Sequence, residues 1–273
     1  MNALPPLFVN SMPKSGTNLV QVLVEDIGYQ YSGRSLAASS VSGRHRVVKR
    51  LLRKNWFSVA EVPLGIEFDA SVSARWVGHY LSAVGAGQYL SGHAAYSDVL
   101  YDLLSRSGMK TILVLRNPAD VVYSMAKYIV EPINAWYPFH AQFKSLSLED
   151  RADFMLRGGF DEIGGGFLRS LKEQYRALEG WSDKEGVLIV RFEDVVGEKG
   201  GGSEQAQRKV LSDIATFLRI DEQKVVEVGP RLFGRSHTFR GGQIGKGGSS
   251  LSPKTVDSIR RSVQNNNLFA DLA

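Results

Sequence analysis

Pro13-Lys14-Ser15-Gly16-Thr17-Asn18-Leu19 decides the fold of this chain, because it separates two apolar stretches of different periodicity. Residues 7–9, Leu-Phe-Val, are typical of a buried strand, and the apolar residues after the heptapeptide repeat at helical spacing up to Gly28. We therefore predict a strand, a tight loop and a helix that begins within the heptapeptide. The first amides of a helix lack intrahelical partners and carry partial positive charge, so such a loop favours an anion.

Three residue types in the heptapeptide suit contact with a phosphate. Gly16 lets the backbone approach closely, Lys14 adds a mobile positive charge, and Thr17 adds a hydroxyl donor. Taken alone, the string is equally consistent with a capped turn that carries an exposed lysine. It is not a Walker A loop, in which the lysine directly follows the second glycine, because here Lys14 precedes Gly16.

Pro-Lys-Ser-Gly-Thr after an apolar strand resembles the 5′-phosphosulfate loop of sulfotransferases that use 3′-phosphoadenosine 5′-phosphosulfate (PAPS). The resemblance implies a P-loop-like fold with PAPS as the sulfuryl donor. It also implies that the loop binds the phosphosulfate through Lys14, Ser15, Gly16, Thr17 and Asn18.

A second segment, which begins at Arg116, follows a predicted buried strand over residues 110–115. Asn117 is a favourable N-cap and Pro118 a favourable first helical residue, so we expect a helix to begin there. Ser124 returns to the face where this helix starts, so it could converge with Arg116 on one phosphate. The alternative for Arg116 is a surface ion pair. The string resembles the family's 3′-phosphate motif, Arg-x-Pro-x-Asp-x-x-x-Ser, which implies that Arg116 and Ser124 bind the 3′-phosphate.

A third segment, Phe-Arg-Gly-Gly-Gln-Ile-Gly at residues 239–245, is similar to the family's Phe-Arg-Lys-Gly-x-x-Gly segment, which closes over the nucleotide. The resemblance implies that Arg240, Gly241 and Gly242 contact the 3′-phosphate. Gly241 replaces the usual lysine, so the site has one cation fewer and we expect weaker cofactor binding. A Ser-Pro pair at 252–253 begins the last predicted helix.

Sulfuryl transfer to a hydroxyl is helped by a base, and histidine has a suitable pKa. The chain has five histidines, at positions 45, 79, 93, 140 and 237. A lone histidine is more often structural than catalytic. His93, however, follows a predicted strand at 88–90 and precedes Arg116 by the separation that the family shows. The resemblance therefore implies that His93 is the catalytic base, with Lys14 stabilising charge on the leaving phosphate.

A further strand is predicted at residues 187–194, Val-Leu-Ile-Val-Arg-Phe-Glu-Asp. It resembles the family's strand that ends in Tyr-Glu-Asp, with Phe192 in the place of the tyrosine. The resemblance implies that Phe192 packs near the nucleotide base. An ordinary core phenylalanine is the alternative.

Strand and helix predictions alternate along the chain, which favours an α/β fold with a central parallel sheet and helices on both faces. The length of 273 residues and the 43% hydrophobic content suit one globular domain, which we expect to span 1–273. In such folds anion sites gather at the carboxyl ends of the strands, where both phosphate motifs are predicted to lie.

Composition restricts the chemistry further. There is no cysteine, the histidines lack metal-site spacing and no carboxylate cluster suggests magnesium, so we expect catalysis without metal. The net charge of +5 suits an anionic cofactor. The N-terminus lacks the features of a signal peptide and no apolar run reaches membrane-spanning length, so we expect a soluble, cytoplasmic enzyme.

Three stretches fall outside these motifs. Residues 32–42 are rich in Ser, Ala and Gly and are predicted to be a loop. Residues 44–54 have the pattern of a basic amphipathic helix, which either faces solvent or contacts an acidic acceptor or a membrane surface. Residues 133–140 are aromatic and suit acceptor recognition.

The sequence thus predicts a PAPS-dependent sulfotransferase that acts on a hydroxyl, or an amine, of a small-molecule, lipid or glycan acceptor. A nucleotide kinase of related architecture is one alternative, and it would need magnesium and a complete Walker A loop. A noncatalytic polyanion-binding protein is the other, and it would show strongly salt-dependent binding without turnover. No nucleic-acid partner is expected for the enzyme, and the sequence leaves the oligomeric state and the acceptor open.

Overall fold

The computed structural model describes residues 4–37, 60–235 and 242–272. Within these ranges the strands are β1 Leu7–Ser11, β2 Gln30–Ala37, β3 Glu61–Pro63, β4 Ser71–Ser73, β5 Gln88–His93, β6 Lys110–Leu115, β7 Gly159–Phe160, β8 Phe167–Leu168 and β9 Val187–Arg191. The longer α-helices there are α1 Thr17–Asp26, α2 Ala74–Ser82, α3 Asp98–Arg106, α4 Pro118–Ile129, α6 Leu148–Arg157, α7 Leu171–Glu179, α9 Glu204–Leu218 and α13 Pro253–Val263. The short ones are α5 His140–Lys144, α8 Phe192–Val195, α10 Glu222–Val226, α11 Gly229–Leu232 and α12 Lys246–Ser250, with 3-10 turns at Pro132–Asn134, Glu198–Gly200 and Asn267–Leu272. No helix in the described part of the chain is both long and apolar enough to span a bilayer.

Five strands form one parallel sheet in the order β2-β5-β1-β6-β9. β1 is the central strand, and its neighbours β5 and β6 end at the same edge of the sheet. The loop after β1, the end of β5 and the segment after β6 therefore meet at one place, as the sequence predicts. The predicted fold class is confirmed.

Side chains alternate along the central strands between two apolar cores. Phe8 and Leu113 point into one core, whereas Val9 and Ile112 point into the other. The first core is covered by α2, α3, α4, α6, α7 and α13, and the second by α1, α9, α10 and α11. Each face of the sheet is thus sealed by helices, and the apolar area removed from water stabilises the strands that carry the site.

The prediction of a loop at residues 32–42 is wrong for residues 32–37, which belong to β2, and residues 38–42 lie outside the described residues. The small polar residues of β2 are accommodated because it is an edge strand, which among the described residues pairs only with β5. Leu36 is buried, and the Tyr80 hydroxyl accepts from the Ser35 amide at 2.9 Å and donates to the Ser35 carbonyl at 3.2 Å. The partners in these contacts are far apart in the sequence, so the local composition does not reveal them.

Two other boundaries differ from the prediction. β5 extends to His93, so this histidine is the last residue of the strand and does not follow it. β9 ends at Arg191, and Phe192 begins the short helix α8. The basic stretch at 44–54 lies outside the described residues.

Candidate active site

The loop between β1 and α1 has an unusual backbone. Lys14 and Gly16 both have positive φ, 69° and 96°. A Cβ on Gly16 would lie 2.4 Å from a ring carbon of Phe192, so glycine is required there for space as well as for conformation. Gly16 is the N-cap of α1 and makes no side-chain cap bond, and the first turn contains no acidic residue. This helix terminus is therefore suited to an external anion.

His93 is oriented by Ser11, the last residue of β1. The His93 Nδ1 atom lies 3.0 Å from the Ser11 carbonyl oxygen and 3.1 Å from its Oγ. Because a carbonyl only accepts, Nδ1 carries the proton and Nε2 keeps its lone pair. Ser11 Oγ is also 2.5 Å from the Thr17 hydroxyl, so the histidine and the helix start share one network.

Burial lowers the pKa of His93, and the positive charge of Lys14 lowers it further, while the bond to Ser11 acts in the opposite direction. The imidazole is therefore neutral near pH 7. A neutral imidazole with a free Nε2 lone pair is the form that a general base requires.

Arg116 connects the segments that the sequence predicts to converge. It is buried, and its guanidinium donates to the Lys14 carbonyl at 3.3 Å and to the Gln243 carbonyl at 3.2 Å. The group also lies 4.3 Å from the centroid of the Phe192 ring. Its Nε has no hydrogen-bond partner among the described residues. A buried donor without a partner is what a bound anion would satisfy.

Asp120 is a site residue to which the sequence reasoning assigned no role. Its carboxylate accepts from the Gly245 amide at 2.9 Å and the Gly247 amide at 2.6 Å, and it lies 3.8 Å from Arg116. It thereby holds the first turn of α12 against α4. The available signal was its position one helical turn after Arg116, which places the two charges side by side.

A cleft of about 630 Å³ opens at the carboxyl ends of the strands. It is lined by most of the predicted site residues, namely Lys14, Gly16, Thr17, Asn18, His93, Arg116, Ser124, Phe192 and Gly242. Ser15 is fully buried, and its Oγ has no partner in the described part of the chain. Arg240 and Gly241 lie outside the described residues.

Glu67 is a second cleft residue that the sequence analysis missed. The Tyr137 hydroxyl donates to its Oε1 at 2.8 Å. Burial raises the pKa of Glu67 to about 7, although the Tyr137 bond and the charge of Lys14 act to lower it. No motif surrounds this glutamate in the sequence, so only the fold reveals that it faces the site.

The aromatic stretch at 133–140 contributes to the cleft in part. Trp136 and Tyr137 line it, together with Tyr128 from α4. His140 does not line it, because the residue is buried and its Nδ1 donates to the Ile129 carbonyl at 2.6 Å. In the residues that the structure describes, no group of three or more His, Asp or Glu is placed to hold a metal ion.

The profile of the sulfotransferase domain family matches residues 4–227. The chain belongs to the sulfotransferase domain family. The match covers all five strands of the sheet, so two motifs of this sulfotransferase, the loop at Lys14 and the segment at Arg116, lie within the matched region, and the third, at residues 239–245, lies beyond it. No curated protein sequence matches the chain.

Solved structures share the fold of this sulfotransferase. Mouse sulfotransferase SULT7A1, complexed with PAP, is 18% identical with a TM-score of 0.57 over 98% of this chain and 86% of that one. A retinol dehydratase in complex with androsterone and inactive cofactor PAP is 14% identical, with a TM-score of 0.53 over 96% and 80% of the two chains. A retinol dehydratase complex with retinol and PAP is 16% identical, with a TM-score of 0.52 over 97% and 82%.

Proposed function

We propose that this sulfotransferase transfers the sulfuryl group of PAPS to a hydroxyl of a small-molecule, lipid or glycan acceptor. One observation carries the proposal: the loop at Lys14, the Arg116 guanidinium, the Ser124 side chain and the His93 imidazole line one cleft. The complexes of three structural neighbours with PAP, the desulfated form of PAPS, support the choice of donor.

The residues of the cleft fit a nucleotide that carries phosphates at both ends. The α1 terminus with Lys14 suits the 5′-phosphosulfate, because its amides and ammonium present positive charge. Arg116 and Ser124 suit the 3′-phosphate, since the guanidinium Nε has no partner among the described residues and the hydroxyl faces the same cleft. Phe192 packs against Gly16 and Arg116 and therefore helps to shape the phosphate loop. We also expect it to pack near the nucleotide base. Arg240, Gly241 and Gly242 complete the proposed 3′-phosphate contacts.

In this mechanism PAPS supplies an activated sulfuryl group on a phosphate leaving group. His93 Nε2 accepts the proton of the attacking hydroxyl, while Ser11 holds the ring through Nδ1. Lys14 and the loop amides counter the charge that develops on the leaving 5′-phosphate. The rest of the rate enhancement comes from holding the reactants in line.

A transfer assay with ³⁵S-labelled PAPS and a panel of hydroxyl and amine acceptors tests this function, and we expect labelled product without added metal. Calorimetry should show tighter binding of 3′-phosphoadenosine 5′-phosphate (PAP) than of ATP. Tighter, magnesium-dependent ATP binding would favour the kinase alternative instead. Salt-dependent heparin or DNA binding with no transfer would favour the polyanion-binding alternative.

Two broader expectations from the sequence stay predictions. One catalytic domain over 1–273 is supported by the two cores that share a single sheet. The cytoplasmic location rests on the sequence alone.

A further inference from the structure

Glu67 is held firmly at the wall of the cleft. The loop that carries it, between β3 and β4, is tied to Arg169, whose amide donates to the Glu67 carbonyl at 2.9 Å and whose Nη1 donates to the Gly65 carbonyl at 2.7 Å. The next residue, Phe68, stacks on Phe139 with ring centroids 6.0 Å apart. Together with the bond from Tyr137, these contacts fix the carboxylate in position.

Three aromatic rings line the same cleft as this carboxylate, and one of them, Tyr137, bonds to it. Tyr128, Trp136 and Tyr137 line the same cleft, and Tyr137 meets Tyr128 edge to face at 6.1 Å and Trp136 at 5.6 Å. The rings thus form a corner and not a flat wall. A corner of aromatic faces next to a carboxylate is the arrangement that binds organic ammonium groups.

The protein itself places an ammonium in this corner. Lys14 Nζ lies 4.0 Å from the centroid of the Tyr128 ring, and its charge acts on Glu67. The same lysine is proposed above to contact the phosphosulfate. When it does so, Tyr128 loses the ammonium over its ring and Glu67 loses the nearby positive charge. The burial of Glu67 then makes a replacement cation favourable.

We propose a subsite for the ammonium group of the acceptor, formed by Glu67, Tyr128, Trp136 and Tyr137. The acceptor is therefore a hydroxyl compound that carries an amine at its other end. The proposal rests on the sulfotransferase mechanism above and adds the acceptor class. The hydroxyl is the nucleophile, because a protonated amine has no lone pair to attack with. Occupation of the subsite follows cofactor binding, since Lys14 and the acceptor ammonium compete for the same aromatic face.

The test compares two probes that differ only in the cation, tyramine and 4-ethylphenol, by calorimetry on the protein saturated with PAP. We expect tyramine to bind at least tenfold more tightly, and the preference to fall at least fivefold in Glu67→Gln. Glu61→Gln, which alters an exposed carboxylate in β3, should keep the preference. Trp136→Ala should reduce it without loss of folding, because this side chain is 64% exposed.

Competition with Lys14 gives a second readout that a structural role of Glu67 would not produce. In the absence of PAP, tyramine should bind weakly to the parent protein and more tightly to Lys14→Met. If the protein binds PAP but binds tyramine and 4-ethylphenol equally, or binds neither, the proposed subsite is wrong and the proposed function is unaffected. An unchanged tyramine preference in folded Glu67→Gln would lead to the same conclusion. Failure of the parent protein to bind PAP would overturn the proposed function and the subsite with it.

Discussion

Arg116 donates from Nη1 to the backbone carbonyl of Lys14 across 3.3 Å, and this bond joins two motifs that stand 102 residues apart in the chain. The guanidinium is therefore a candidate phosphate ligand that also supports the loop at the α1 terminus. Its second bond, to the Gln243 carbonyl, connects this loop to the segment before α12. Any change at Arg116 acts on the geometry of the loop as well as on the charge of the site.

Arg116→Ala should weaken PAP binding roughly 10- to 150-fold, the equivalent of about 1.5 to 3 kcal/mol for a lost charge-assisted contact. Ser124→Ala should weaken it only about fivefold, near the ~1 kcal/mol of a neutral hydrogen bond. Calorimetry measures both effects. Arg157→Ala, which removes an exposed arginine paired with Asp153, serves as the control and should bind PAP like the parent. Parental affinity in both site variants would show that the 3′-phosphate is bound elsewhere.

His93→Ala should lower kcat by roughly 100-fold or more and leave PAP affinity within about twofold, because the imidazole is proposed to act on the acceptor proton. Lys14→Ala should reduce both kcat and PAP affinity, because the lysine is proposed to contact the phosphosulfate in the ground state and the leaving group in the transition state. Transfer kinetics and calorimetry separate the two patterns. His79→Gln, a histidine of α2 that does not line the cleft, is the matched control. A folded His93→Ala variant with parental kcat would rule out His93 as the base.

The pH dependence of kcat/KM for PAPS should show an acid limb below pH 6.5. Burial and the charge of Lys14 lower the pKa of His93. The imidazole therefore stays neutral at more acidic pH than an ordinary histidine does. Activity falls only when the pH drops through this lowered pKa. Glu67, with a pKa of about 7, titrates at higher pH, so the profile of Glu67→Gln isolates the histidine. A limb at or above pH 6.5 that remains in Glu67→Gln would contradict the assignment.

Gly247→Ala should destabilise the protein and weaken PAP binding, whereas Gly248→Ala should do neither. A Cβ on Gly247 would lie 2.2 Å from the Ala119 carbonyl oxygen, so the segment would have to move away from α4 and from Asp120. A Cβ on Gly248 would meet nothing within 4 Å. We expect a loss of roughly 1 to 3 kcal/mol for Gly247→Ala, the cost of overpacking, in denaturant unfolding. Equal stability of the two variants would mean that the close approach is not maintained in solution.

Local patterns were sufficient to predict four of the five strands of the central sheet and much of the cleft. The strand at 110–115, the N-cap at Asn117 and the first helical residue Pro118 occur where the sequence places them, and the Asn117 side chain accepts from the Ala119 amide at 3.0 Å. Such features depend on neighbours in the chain, which is why a single sequence reveals them. The parallel sheet predicted that the phosphate motifs lie at one edge, whereas the meeting of Lys14, His93 and Arg116 in one cleft follows from the strand order, in which β5 and β6 flank β1.

The features that the sequence did not predict depend on partners that are far apart in the chain. β2 is made by pairing with β5 and by the bonds of Tyr80 to Ser35, and neither leaves a local signal. Nothing around Glu67 in the sequence indicates a site residue, because its partner Tyr137 is brought to it only by the fold. The pairing of Asp120 with Arg116 could be inferred from their spacing, whereas its bond with the Gly245 amide involves a residue 125 positions away.

The two bonds that the Asp120 carboxylate accepts from the amides of Gly245 and Gly247 also have a consequence for the order in which the molecule is synthesised. The ribosome delivers Asp120 and all five strands of the sheet well before Gly245 emerges. Until then the Asp120 carboxylate lacks two of its donors. A chain halted before residue 245 would also lack α13, which covers the first core, so we expect its core to be incomplete and its nucleotide site to be unformed.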